Sequence, residues 1–102
     1  MEFYSIDGTG LKAIRLTSFA GTSSGKTAIT SNYTLASGES YKYKLGSEAV
    51  SVAYEDVLTS GWTAWNGSDE ISATTGQIIT VAAVVTSNNK AHAVGHVMVT
   101  TA

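Results

Sequence analysis

Gln77-Ile78-Ile79-Thr80-Val81-Ala82-Ala83-Val84-Val85-Thr86, then Ser87-Asn88-Asn89-Lys90, then Ala91-His92-Ala93-Val94-Gly95-His96-Val97-Met98-Val99-Thr100, is the stretch that decides the fold. Two long runs rich in Val, Ile and Thr flank a short polar segment with adjacent asparagines, which is the pattern of a β-hairpin. The first run is apolar at both odd and even positions, so both faces of its strand must be covered, and it is expected at the centre of a sheet. Neither run approaches the ~20 apolar residues of a membrane-spanning helix.

Upstream, Glu39 to Leu45 alternates cleanly, with Tyr41, Tyr43 and Leu45 on one face and Lys42 and Lys44 on the other. This predicts a half-buried strand. Ala49 to Tyr54 continues in the same idiom and is read as a further strand. Asp56 to Ala64 is an irregular connection punctuated by Gly61, Asn66-Gly67 is a turn signal, and Glu70 to Ala73 follows as a short strand. Near the start, Leu11, Ala13, Arg15, Thr17 and Phe19 alternate with Lys12, Ile14, Leu16 and Ser18, which predicts one strand over Leu11 to Ala20. The small residues Gly21 to Gly25 turn the chain back into a strand over Lys26 to Tyr33. Apolar residues nowhere keep a helical period. About seven short strands in about a hundred residues predict an all-β protein, an immunoglobulin-like antiparallel β-sandwich. Residues 11–102 form its single domain, and residues 1–10 read as an N-terminal arm or junction.

Composition narrows function. The chain has 102 residues, no cysteine and no proline. Disulfide scaffolds, cysteine-ligated zinc and thiol catalysis are excluded, and the turns must be built from Gly, Asn, Asp and Ser. A net charge of −2 with six scattered Lys and Arg supplies no phosphate-neutralising stripe, so nucleic acid is not an expected partner. Residues 1–10 contain no basic segment followed by an apolar run, and no membrane segment or export signal is read.

Ala20-Gly21-Thr22-Ser23-Ser24-Gly25-Lys26-Thr27 fits the loose form of a phosphate-binding loop. Such a loop works by opening a helix whose N-terminal amides hold the anion. Here Ala28-Ile29-Thr30-Ser31-Asn32-Tyr33 follows, a β-branched and turn-forming run, so the string reads as a hairpin with an exposed lysine. His92 and His96 share a strand face but stand about 13 Å apart at ~3.3 Å per residue, too far to chelate one ion. The acidic pairs Glu55-Asp56 and Asp69-Glu70 lack the spacing of a calcium loop and read as solvated charge. No catalytic, cofactor-binding or metal-ligating residue is assigned. Trp62 and Trp65, with Tyr54 and Asn66, are the ligand or interface candidates. Either they stack on a sugar ring, or one tryptophan fills the core and the other covers a sheet edge.

Several blocks carry a family resemblance: Ser18 through Thr30, Ser40-Tyr41-Lys42-Tyr43-Lys44-Leu45-Gly46, Gly61-Trp62-Thr63-Ala64-Trp65-Asn66-Gly67, Ile71 to Val81, and Asn89 to Gly95. In this order they resemble the immunoglobulin-like accessory modules of bacteriophage and prophage virion proteins, namely head-fibre, capsid-decoration and tail proteins. The pair His92 and His96 departs from that pattern. The resemblance implies a non-enzymatic structural domain on the phage particle, with other virion subunits or further copies of itself as partners and attachment to host-surface glycans as a role. The alternative is a carbohydrate-binding β-sandwich module of a bacterial adhesin or extracellular enzyme.

Overall fold

A computed structural model describes residues 11–102; the arm expected over residues 1–10 lies outside them. The strands are β1 (Lys12–Ala13), β2 (Leu16–Ala20), β3 (Lys26–Ser31), β4 (Glu39–Gly46), β5 (Thr63–Trp65), β6 (Ile71–Ser72), β7 (Ile78–Val85) and β8 (Ala91–Met98). They form a five-stranded sheet in the order β1-β8-β7-β4-β5 and a three-stranded sheet in the order β2-β3-β6. All neighbours are antiparallel except β1 and β8, which run parallel with Lys12 opposite Ala93 and Ala13 opposite Val94. The expected β-sandwich is present, with eight strands among the described residues.

The doubly apolar run is β7, flanked by β4 and β8 as its composition demands. Its odd positions, Ile79, Val81 and Ala83, face the main core with Ile14, Ile29, Tyr41, Trp65, Ile71, Ala93 and Val99. Its even positions, Ala82 and Val84, face outward and meet a second cluster with Leu58 and Ala91, against which Val52, Trp62 and Val94 pack. The connection between β4 and β5 therefore covers the outer face of the large sheet. Each fully buried aliphatic side chain of this kind contributes roughly 1.5–3 kcal/mol.

That covering role explains why residues 49–54 are not a strand. The alternation of Val50, Val52 and Tyr54 is real, but the backbone bonds of the connection go elsewhere. Val50 N–H donates to Thr80 Oγ1 at 3.0 Å, Ala53 N–H to the Asp56 carboxylate at 2.8 Å, and Glu55 N–H to the Ala91 carbonyl at 2.7 Å. Glu55 adopts φ 65° to make the turn, a left-handed conformation uncommon for a side-chain-bearing residue.

The strand expected over Leu11 to Ala20 is also divided. β1 belongs to the large sheet and β2 to the small one, and the chain changes sheets through Ile14 and Arg15. Ile14 N–H donates to the Val94 carbonyl at 2.9 Å, and its side chain enters the main core. Its carbonyl crosses directly over Gly95, where a Cβ would overlap it. Arg15 N–H then donates to Asn32 Oδ1 at 2.9 Å, which starts the β2–β3 pairing.

Strand directions place the entry to β1 and the last residue, Ala102, at opposite poles. β1 lies beside the start of β8. Ala102 is held at the far end by the β2–β3 hairpin, donating to the Lys26 carbonyl at 3.1 Å and accepting from Gly25 at 3.4 Å. The molecule measures 45 × 29 × 22 Å.

Candidate functional site

The string that resembles a phosphate loop closes the β2–β3 hairpin. Lys26 N–H donates to the Ser23 carbonyl at 3.1 Å and Gly21 N–H to the Lys26 carbonyl at 2.9 Å. Lys26 Nζ donates to Ser72 Oγ at 2.8 Å, and the Thr22 amide and hydroxyl donate to the Glu70 carboxylate. Thr27 is buried, its hydroxyl within 2.7 Å of Ser18 Oγ and 3.1 Å of the Phe19 carbonyl. The loop opens a strand, its lysine and threonine are occupied by structural partners, and the anion its Thr22 amide holds is the protein's own Glu70 carboxylate.

The four residues singled out from the sequence do not share one surface. Trp65, 7% exposed, sits inside the sandwich with its ring tilted 44° to that of Tyr41 at 5.2 Å. Its Nε1–H donates to the Asp69 carbonyl at 2.9 Å. Trp62 packs against the outer cluster, with Lys44 Nζ 5.9 Å from its ring centroid, within the range of a cation–π contact. Asn66 turns inward on its own loop, where Oδ1 accepts from the amides of Ser68 at 2.9 Å and Asp69 at 2.8 Å. Trp65 and Asn66 line a cleft of about 530 Å³ together with Tyr41, Tyr43, Asp69 and Glu70. Tyr54 lies apart from that cleft, stacked on His92 at 5.2 Å and 19° between planes.

That stack belongs to a polar cluster the sequence reading did not assemble. The β7–β8 register shifts between Ala83 and Val84: Ala83 faces Ala93, while Val84 faces Ala91. His92 is the extra residue, a β-bulge that re-aims its side chain. Its Nδ1 comes within 3.1 Å of Glu39 Oε2. The other carboxylate oxygen of Glu39 accepts from the Tyr33 hydroxyl and from Ala36 N–H, both at 2.9 Å. The Glu39 side chain is 7% exposed and that of His92 29%, and the two line a second cleft of about 470 Å³ with Gly38, Val85, Thr86 and Ser87.

Burial alone would push the Glu39 carboxyl up. The hydrogen bonds from Ala36, Tyr33 and His92, together with the charge His92 can carry, more than offset it and hold the group below the ordinary glutamate value. The Tyr33 hydroxyl is pushed up to about 12, first by burial and then by its bond to Glu39 and that carboxylate's charge. His92 is thus a half-buried partner of a carboxylate, while His96 is exposed. Glu39 and His92 are separated by 53 positions, and only the observation that a strand histidine can ride a bulge would have suggested the pair. Among the described residues no group of three His, Asp or Glu side chains could hold a metal ion. The cluster holds a loop, a bulge and a strand together.

Comparison with known proteins bears on the same chain. A family model described as the S-layer protein SbsC C-terminal domain matches residues 19–100. The solved structure "Crystal structure of the S-layer protein SbsC, domains 7, 8 and 9" is 25% identical with a TM-score of 0.64, covering 88% of this chain and 28% of that one. "Structure of surface layer protein SbsC, domains 4-9" is 26% identical with a TM-score of 0.65, covering 92% of this chain and 15% of that one. The chain thus spans less than a third of either structure. No curated protein sequence matches it.

These matches overturn the resemblance to bacteriophage and prophage virion modules. Head-fibre, capsid-decoration and tail roles, virion subunits as partners and a location on the phage particle all fall with it. The physical reason lies in the blocks that carried it. They are hairpin turns and alternating strand residues, which any sandwich of this topology needs and which hold no information about the particle that bears it.

Proposed function

Because the chain belongs to the S-layer protein SbsC C-terminal domain family, we propose that it is a non-catalytic structural module of a bacterial surface-layer protein, joined end to end with similar domains. The match over residues 19–100 carries this reading. Two features support it. The similar solved structures are described as numbered runs of domains, and the chain here enters and leaves at opposite poles of an elongated body, which suits a string of modules. The partners of such a module are its neighbours along the chain and other copies of the parent protein in the layer. The test is to delete residues 11–102 from the parent protein and image the cell surface by electron microscopy, with antibody labelling of the intact parent on whole cells. Loss or disordering of the surface layer and labelling of unbroken cells are expected. An unchanged layer, or antigen found only after lysis, would overturn the proposal.

A second reading assigns the cleft beside β5 to a cell-wall sugar. It is favoured by the half-buried Tyr43, which lines the cleft with Asp69 and Glu70, since an apolar ring beside carboxylates suits a pyranose. Glycan-array binding that is lost in Tyr43→Ala would support it, and silence across cell-wall sugars would remove it.

A further inference from the structure

We infer that the parallel β1–β8 pair, locked by Ile14 across Gly95, is a tensile clamp that bears load transmitted through the chain ends. The inference rests on the reading of the chain as one module in a string, because only then is force applied at both ends.

The argument begins with direction. β1 and β8 are parallel, and Lys12 lies opposite Ala93 near the start of β8. The chain therefore enters β1 at one pole and leaves β8 at the other. Pulling the two apart slides β1 along β8, with the load parallel to the strands and across their slanted hydrogen bonds. In that geometry the bonds share the load and must fail together. In a hairpin pulled open from its ends they would fail singly.

Three features strengthen the seam. Ile14 donates to Val94 at 2.9 Å, and its side chain is buried in the main core, so β1 cannot slide without withdrawing an aliphatic plug. The Ile14 carbonyl fills the space a side chain would need at Gly95, so the two backbones are in closer register than an ordinary ladder allows. At the opposite pole the tail after β8 is tied across to the small sheet and the β6–β7 turn. Thr100 N–H donates to Ser18 Oγ at 2.8 Å, Thr101 N–H to Thr75 Oγ1 at 3.0 Å, and Ala102 N–H to the Lys26 carbonyl at 3.1 Å. Load entering through the tail is thereby spread over both sheets before it reaches the seam.

Forced unfolding is governed by the unfolding rate, so the clamp is tested by rate under load. The whole chain, flanked by marker domains, is stretched in single-molecule force spectroscopy. One geometry pulls through both ends. The other pulls between the N-terminal handle and a thiol introduced by Ser87→Cys, a clean attachment because the chain has no cysteine. This second geometry puts both handles at one pole and peels β1 from β8. The end-to-end pull should give the higher unfolding force. Ile14→Ala should raise the end-to-end unfolding rate at fixed load roughly tenfold or more. Ile71→Ala, a core truncation on the small sheet, should leave that rate nearly unchanged while lowering the urea midpoint. Equal force in the two geometries, or equal effects of the two truncations, would overturn the clamp. The geometry comparison uses a surface substitution only, so it stands even if Ile14→Ala fails to fold. The measurement needs no layer, so failure of the clamp and failure of the surface-layer reading are seen separately.

Discussion

Gly95 sits in the middle of β8, a position where glycine is normally a weakness for lack of side-chain packing and excess freedom in the unfolded chain. Its presence is explained by the Ile14 carbonyl, which occupies the site a Cβ would take. Gly95→Ala should therefore cost about 3 kcal/mol or more, since backbone on both sides must shift. Gly46, at the end of β4, has only the Glu48 carbonyl near its virtual Cβ, at 3.8 Å. Gly46→Ala should change stability by no more than about 0.5 kcal/mol. Urea unfolding of the two variants beside the parent chain checks both, and equal effects would show that close approach is not what selects Gly95. The tryptophans separate on the same principle. Trp65→Ala removes a core ring and leaves the Asp69 carbonyl without its donor, for a loss of about 3–5 kcal/mol. Trp62 is only half-buried on the outer cluster, and its removal should cost roughly half as much or less. A reversed order in thermal or urea unfolding would contradict the assignment of the two faces.

At the scale of elements, the polar cluster around Glu39 ties β4, the bulge of β8 and the β3–β4 loop into one unit, with Tyr54 of the β4–β5 connection stacked on His92. The folded state holds the Glu39 carboxyl below its ordinary value of 4.5, so it binds that proton less readily than the unfolded chain. The stabilisation is fully present above about pH 4.5 and is lost as pH falls through the lower folded value. For Tyr33 the folded value is raised, and its contribution holds below pH 10 and fades as pH rises through about 12. Glu39→Gln should therefore flatten the fall in urea midpoint between neutral pH and pH 3, and a parallel fall in both proteins would assign the acid sensitivity elsewhere. The elements themselves were legible to different depths. β4, β7 and the β7–β8 hairpin could be read because their periodicity reports burial directly. The division of β1 from β2 was missed because one period was carried across Leu11 to Ala20, although the adjacent apolar residues Ala13 and Ile14 break its phase where the chain changes sheets. Val50 and Val52 misled for the converse reason: an outer-face cover needs apolar residues at strand-like spacing without strand pairing. The Glu39–His92 pair was hidden because a bulge, unlike an alternation, leaves no periodic trace.

For the whole molecule, topology governs how the chain finds this state. Apart from the β2–β3 and β7–β8 hairpins, its ladders join distant segments: β4 pairs with β7 from Glu39 opposite Val85 to Gly46 opposite Ile78, and β1 must wait for β8. Closing such loops precedes the contacts that repay their entropy, so folding is expected on a scale of roughly milliseconds to seconds. The slowest common step in proteins of this size is nevertheless excluded by composition. X-Pro isomerisation takes roughly tens of seconds, and this chain has no proline. Refolding followed by tryptophan fluorescence, which reports the burial of Trp65 against Tyr41, should then be a single exponential without a tail beyond seconds. In a double-jump experiment, its amplitude should not depend on how long the protein is held unfolded before refolding starts. A slow phase that grows with that delay would require a heterogeneous unfolded state the composition does not provide. A slow phase that grows with protein concentration would instead reveal association through the edge strands, β1 and β5 of the large sheet and β2 and β6 of the small one.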